Sequence, residues 1–336
     1  MLLDGIPQQQ NMQPRPDRRL KQLVFIILRS SFHAGKVTSV TAIMGPIIAI
    51  EIGSAMITAA CVEGGEITKQ HQVTMPRTGH GGDLANAIAD LVRKIMSASL
   101  RLGVTTSGIV ANGGLTSFNP QTLPIENNYP IAAALRRRLG VHALVVNDAQ
   151  AAAFHESRLM RKDANSFAFI TVSTDIGAGL VLDGQLQIGR RGLAGRAGHI
   201  TVDWAGRLCG CGRRGCVETL ASGAAIARRA SEITGQEMST PAVFAAAHAG
   251  DERCIQVLED AANALAAMIA DLVAGLDIDL VRLGGSVGMV PGFLNRLRIA
   301  MERLPEPYRR PVEPARGDAN AVLLGVAALL DETFRY

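Results

Sequence analysis

Apolar residues run through "GPIIAIEIG" (45–53) and stop at glycine, and "AMITAACVEGGEI" (55–67) resumes the apolar, β-branched pattern around a Gly-Gly pair. Runs this short, bounded by glycine, predict a strand, a tight turn and a hairpin partner. The period then changes. In "DLANAIADLVRKIM", Leu84, Ile88, Leu91, Val92 and Ile95 recur at helical spacing and form one apolar stripe. Beyond it, "VTTSGIVANGG" reads as a strand with an Asn-Gly turn, and "HALVVNDAQAAAFHE" as a strand passing directly into a helix. The second half repeats the opening: "FAFITVSTDIGAGLVLDGQLQIG" is strand, glycine-bearing turn, strand, Asp-Gly turn and strand. Two such openings predict a duplicated α/β fold with a cleft between its halves.

Polar residues and glycines cluster at the ends of the apolar strands: Glu51 and Gly53, Asn147 and Asp148, Thr174 to Gly179, and "GGSVG" from Gly284. Open α/β sheets bind ligands at these ends, so one shared site is expected. For any one glycine-rich segment, plain turn chemistry explains as much; four together favour a site.

The 336 residues are 48% hydrophobic and 19% charged, enough for two compact domains. The net charge of +4 comes from bases spread among nearly as many acids, which gives no nucleic-acid face. At the N-terminus, residues 1–43 combine a Gln-, Pro- and Arg-rich start with "LVFIIL" (23–28), far shorter than the ~20 residues of a membrane span. This segment reads as an extension, disordered by composition, with no anchor or export signal. The five cysteines are odd in number, which fits a reducing compartment, and the cytoplasm is the expected location.

Three of those cysteines fall in "GHITVDWAGRLCGCGRRGCVE" (198–218). His199, Cys209, Cys211 and Cys216 supply three soft ligands and an imidazole with no open position, the donor set of a closed tetrahedral zinc site. Free thiols or a disulfide are the alternative. A metal here would also fix the loop that carries His199 and Glu218.

These residues resemble the hallmark of the ROK family of repressors and sugar kinases, Gly-His followed by Cys-x-Cys-Gly-x-x-Gly-Cys-x-Glu. The resemblance runs from about Met44 to the C-terminus. It implies an actin-like ATPase fold, a duplicated ribonuclease H-like α/β arrangement of two domains with an interdomain cleft and a zinc-bearing loop. The implied division is residues 44–147 with 318–336 in a smaller domain, and 148–317 in a larger one with the zinc site. Within the family, "NDAQAAA", "ITVST", "GLAG", "CGCGRRGCVE" and "LGGSVG" look most like bacterial N-acetylmannosamine kinases.

The resemblance implies transfer of a phosphoryl group from ATP, with Mg²⁺, to the 6-hydroxyl of N-acetylmannosamine or a related hexose. Asp148 would be the general base, a role that suits a carboxylate at a strand end; a helix N-cap is its alternative reading. Asn119, Asn147, Asp148, His199 and Glu218 would contact the sugar. Gly53 and Ser54, then Thr174, Asp175, Gly177 and Gly179, would lie along the ATP phosphates, with Gly284 and Gly285 at the adenine. A homodimer is implied as well.

Three departures from the family pattern stand out. Where its kinases usually read "DIGGTK", this chain has "EIGSAM" (51–56). The second phosphate loop carries Asp175 in place of the usual glycine, and Arg196 replaces the usual glutamate two residues before Gly-His. At ~6 Å and an effective dielectric near 20, Asp175 against one phosphate charge costs about 3 kcal/mol, or ~100-fold in affinity; as a Mg²⁺ ligand it would act in the opposite sense. Three activities therefore compete: a kinase slowed by its altered loops, a sugar-binding sensor, and a repressor. The repressor is disfavoured because about 43 residues are too few for a winged helix-turn-helix and linker.

Overall fold

The computed structural model describes residues 45–95, 101–117, 119–120, 122–160 and 164–333. The expected extension, residues 1–43, lies outside them. The first half contains β1 (Ile47–Ile52), β2 (Met56–Glu63), β3 (Glu66–Thr74), α1 (Gly81–Ile95), β4 (Arg101–Thr106), the short hairpin β5 (Ile109–Ala111) and β6 (Gly114–Thr116), α2 (Ile131–Leu139), β7 (Ala143–Asn147) and α3 (Asp148–Leu159). In the second half come β8 (Phe167–Val172), β9 (Ile176–Leu182), β10 (Gln185–Gln187), α4 (Glu218–Ala221), α5 (Gly223–Thr234), α6 (Thr240–His248), α7 (Glu252–Leu276), β11 (Leu280–Gly284), α8 (Pro291–Glu302), β12 (Val312–Pro314) and α9 (Ala321–Thr333).

Two five-stranded sheets share one topology. The first has the order β3-β2-β1-β4-β7 and the second β10-β9-β8-β11-β12. In each, two antiparallel pairings lead from the edge to the opening strand, and two parallel pairings complete the sheet. The expected duplication is present. Its hairpin turns follow from their residues: Gly64-Gly65 between β2 and β3 and Asp183-Gly184 between β9 and β10 all have positive φ, the requirement of the tight turn that matches strand twist.

Alternation along the central strands explains the layers. Ile48, Ile50 and Ile52 enter one core with Leu84, Ile88 and Leu91 of α1, while Ile47 and Ala49 face another with Leu323 and Val326 of α9. On β8, Ala168, Ile170 and Val172 pack with α7, and Phe167 and Phe169 face Ala152 and Ala153 of α3. Helices α3 and α9 thus lie on the inner faces and pack on each other. Their close approach requires small residues. A Cβ at Gly325 of α9 would strike the Ala151 carbonyl, and one at Gly179 of β9 would lie 2.5 Å from both the Ala149 oxygen and Ala153 Cβ. The alanine run of α3 is therefore a packing surface for two neighbours. No helix among the described residues is long and apolar enough to cross a membrane.

Candidate active site and metal-binding loop

A cavity of about 840 Å³ opens where the parallel strands of both sheets end. It is lined by Gly53 and Ser54 after β1, Asn147 and Asp148 at the junction of β7 and α3, Thr174, Asp175 and Gly177 after β8, and Gly284 and Gly285 at the end of β11. Asn119, His199, Cys211 and Glu218 line it too. Of the residues expected at the site, Gly179, Cys209 and Cys216 are not in this lining. Gly179, expected along the phosphates, packs on α3, where a Cβ would lie 2.5 Å from the Ala149 oxygen.

Helix α3 starts without a linker because Asn147 caps it. The Asn147 Oδ1 accepts from Ala149 N at 3.1 Å and Gln150 N at 3.3 Å, and Nδ2 donates to the Thr106 and Gly108 carbonyls at 3.1 and 3.5 Å. One correction follows. The N-cap is Asn147, not Asp148, and a cap of this kind stabilises a helix by about 1 kcal/mol. The Asn147 amide, expected to contact sugar, lines the cavity and makes these hydrogen bonds within the protein as well. Asp148, relieved of capping, begins α3 at the cavity wall with Oδ1 accepting from Ala149 N at 2.7 Å. Burial raises its pKa, opposed by that N–H, the Arg196 guanidinium and Asn147.

Six acidic residues line the cavity, Glu51, Asp148, Glu156, Asp175, Glu218 and Asp318, and burial acts on four of them, Glu51, Asp148, Asp175 and Glu218. Burial, then the Asp148 charge, pushes Glu51 up to about 7 and raises Asp175 as well. Glu218 is also pushed up to about 7, by burial first and then, among charges, by Asp175. Arg196 is the cation among them. It donates to the Ser107 carbonyl at 3.0 Å and to that of Gly108, joining the loop after β10 to the loop after β4. Gln150 of α3 secures the same loop through the Ala194 carbonyl at 3.0 Å.

The metal-ligand candidates converge. One atom each from His199, Cys209, Cys211 and Cys216 lies within 4.8 Å of all the others. Cys209 Sγ is 3.6 Å from His199 Nδ1, and Cys211 Sγ is 3.6 Å from Cys216 Sγ. Metal bonds of about 2.3 Å to sulfur and about 2.0 Å to nitrogen give tetrahedral edges of roughly 3.6–3.8 Å, so the spacing fits a shared metal. It does not fit a disulfide, and all five cysteines are free thiols. Burial, then Arg196 and Arg213, pushes His199 down to about 4, which keeps it a neutral ligand at pH 7. Burial pushes the Cys209 thiol up to about 12, and a bound cation acts the other way by stabilising the thiolate. The loop curls back through Cys209 N to the Arg213 carbonyl at 2.7 Å, and through Gly215, whose φ is +64° and whose absent Cβ leaves room for the Asp203 carbonyl.

Sequence reasoning missed two lining features. Glu156, eight residues after Asp148 on α3, is completely buried yet borders the cavity, and the segment from Ala315 to Val322 forms one wall. In the sequence Glu156 stands in "FHESRL", among polar neighbours, and nothing there points to its partner.

The sequence profile of the ROK family matches residues 47–333. An N-acetylmannosamine kinase of Vibrio cholerae is 38% identical over 280 residues, covering 83% of this chain and 97% of the relative. A ROK hexokinase from Thermus thermophilus superposes with a TM-score of 0.74 at 29% identity, covering 87% of this chain and 99% of that one. A ROK glucokinase from Streptomyces griseus, solved with glucose and AMPPNP, gives a TM-score of 0.72 at 27% identity over 86% and 100% of the two chains. With a duplicated fold, a strand-end cavity and a His-Cys₃ loop that all agree with this match over most of its length, the chain belongs to the ROK family.

Proposed function

We propose that the chain is a sugar kinase that transfers a phosphoryl group from ATP to the 6-hydroxyl of N-acetylmannosamine or a related N-acetylhexosamine. The observation that carries this reading is Asp148, a carboxylate released from helix capping by Asn147 and placed on the wall of a cavity large enough for both a sugar and a nucleotide. Its raised pKa makes it a stronger base than an exposed aspartate, suited to accept the hydroxyl proton as the oxygen attacks. Asn119, His199 and Glu218 would orient the sugar. Thr174, Gly177 and the Gly53-Ser54 turn would border the phosphates, and Gly284-Gly285 the adenine.

We assign zinc to the cluster of His199, Cys209, Cys211 and Cys216, where it would fix the loop through His199 Nδ1 and leave Nε2 for a sugar hydroxyl. Mg²⁺, when bound with ATP, neutralises charge on the phosphates, and Asp175 would either oppose those phosphates or hold that cation. Domain boundaries of 44–147 with 318–336 and 148–317, a cytoplasmic location and a homodimer belong to the same reading; the free thiols suit a reducing compartment.

Crowding of acids in the cavity supports a second reading, a sugar-binding sensor with little turnover. A coupled assay of ADP release over a panel of hexoses and N-acetylhexosamines separates the two. The kinase reading expects turnover highest with an N-acetylhexosamine; sugar binding without ADP release would favour the sensor.

A further inference from the structure

We infer that Glu156 is a positioning residue for the nucleotide. It holds the Ala315–Val322 wall of the cavity at a fixed place relative to Asp148. The inference rests on the kinase reading and extends it to a residue with no expected role.

Glu156 has no solvent exposure, and its partners are backbone groups of one distant segment. Oε1 accepts from Arg316 N at 2.9 Å and Gly317 N at 2.6 Å, and Oε2 from Arg316 N at 3.1 Å. Successive N–H groups converging on one anion form a nest, and here the anion is the protein's own side chain. Gly317 is needed for the contact, since a Cβ there would lie 2.9 Å from Ala321 Cβ and His155 Cδ2 and 3.1 Å from Glu156 Oε1. The same segment lines the cavity through Ala315, Gly317, Asp318, Ala319 and Val322, as Glu156 itself does.

Helix geometry links this clamp to the chemistry. Asp148 and Glu156 lie eight residues apart on α3, about 12 Å along the axis. The Arg196 charge acts on Asp148, His199 and Glu218 alike, whereas the segment that Glu156 holds packs against Gly284, where a Cβ would lie 3.4 Å from Ala315 Cβ. Because α3 is packed on both sides, against Gly179 and Gly325, it serves as a rigid spacer between the proposed base and the wall. A misplaced wall shifts the nucleotide relative to an acceptor hydroxyl that has not moved, so the loss falls on ATP.

The experiment compares wild type with Glu156→Gln in the full chain. Glutamine keeps the shape but presents an NH₂ where a carboxylate oxygen now accepts an N–H. Wild type is first titrated with AMPPNP and Mg²⁺; a chain that binds sugar but no nucleotide overturns the kinase reading and this inference together. With wild-type binding in hand, Glu156→Gln is expected to raise both the KM for ATP and the Kd for AMPPNP about tenfold, while the KM for sugar stays within about twofold. Unchanged ATP affinity, or equal losses for both substrates, overturns the positioning role alone. Photolabelling of wild type with 8-azido-ATP gives a test that needs no folded variant. Labelling of the peptide spanning 315–322 is expected, and labelling elsewhere overturns the inference.

Discussion

Glu218 Oε2 accepts the Ile176 backbone N–H at 3.2 Å, so the metal-binding loop holds the turn that carries Asp175. A second contact reinforces it, because Gly198, beside His199, has room for no side chain against the Ile176 carbonyl. On the other side of the turn, Gly223 N and Ala224 N donate to the Ser173 and Thr174 carbonyls at 2.7 and 3.3 Å. The metal loop and the turn between β8 and β9 form one mechanical unit.

Loss of the metal should therefore affect both folding and nucleotide binding. Purified protein is expected to carry about one zinc per chain. Cys211→Ser should lose it, with a melting temperature lower by several degrees and weaker AMPPNP binding. Metal analysis and scanning calorimetry check this; a metal-free chain with unchanged melting would falsify the structural role.

Asp148→Asn keeps the size of the side chain and removes its basicity. Turnover is expected to fall at least 1,000-fold, roughly the upper range of general-base catalysis, with sugar affinity within about tenfold. Because Asn147 supplies the cap, helix α3 should survive and the melting temperature should change little. Retained turnover would place the base on another residue.

For Asp175, the sign of the effect is the informative result. If its charge repels phosphate, Asp175→Gly should strengthen nucleotide binding and raise turnover by up to ~100-fold. A role in holding Mg²⁺ would instead make the same substitution weaken both. Titrations of ATP with and without Mg²⁺, with sugar present, distinguish these outcomes. We expect the repulsive one, since Asp175 shares the cavity with five other carboxyl groups.

Stability should depend on pH through Glu51, whose pKa rises from the ordinary 4.5 to about 7, first by burial and then by the Asp148 charge. Between these values the folded chain holds more protons than the unfolded one, so stability falls as pH rises from about 4.5 to 7 and this contribution levels off above. Glu51→Gln carries no charge to lose. Its melting temperature relative to wild type should climb from pH 5 to pH 8; a constant difference would refute the assignment.

Local patterns in the sequence specify what depends on neighbouring residues. The glycine-bounded β-branched runs define β1, β2, β8 and β9, and the spacing of Leu84 to Ile95 defines α1, because each has its period and its stop signals within a few residues. The metal ligands were legible for the same reason. Three cysteines within eight residues, with glycines between them, can reach one another whatever surrounds them, and His199 lies close enough to join.

Tertiary structure decided what depends on groups far apart in the chain. Whether Asn147 or Asp148 caps α3 turned on the Thr106 and Gly108 carbonyls, which lie about 40 residues earlier and anchor the Asn147 amide. That Gly179 must be glycine for α3 to lie close against β9 is visible only in the fold. Glu156 has no readable purpose in the sequence, since its partners, Arg316 and Gly317, are 160 and 161 residues away. A hydrogen bond or steric contact acts over about 3–4 Å of space, with no regard to separation along the chain, and only the folded backbone brings these groups within that range.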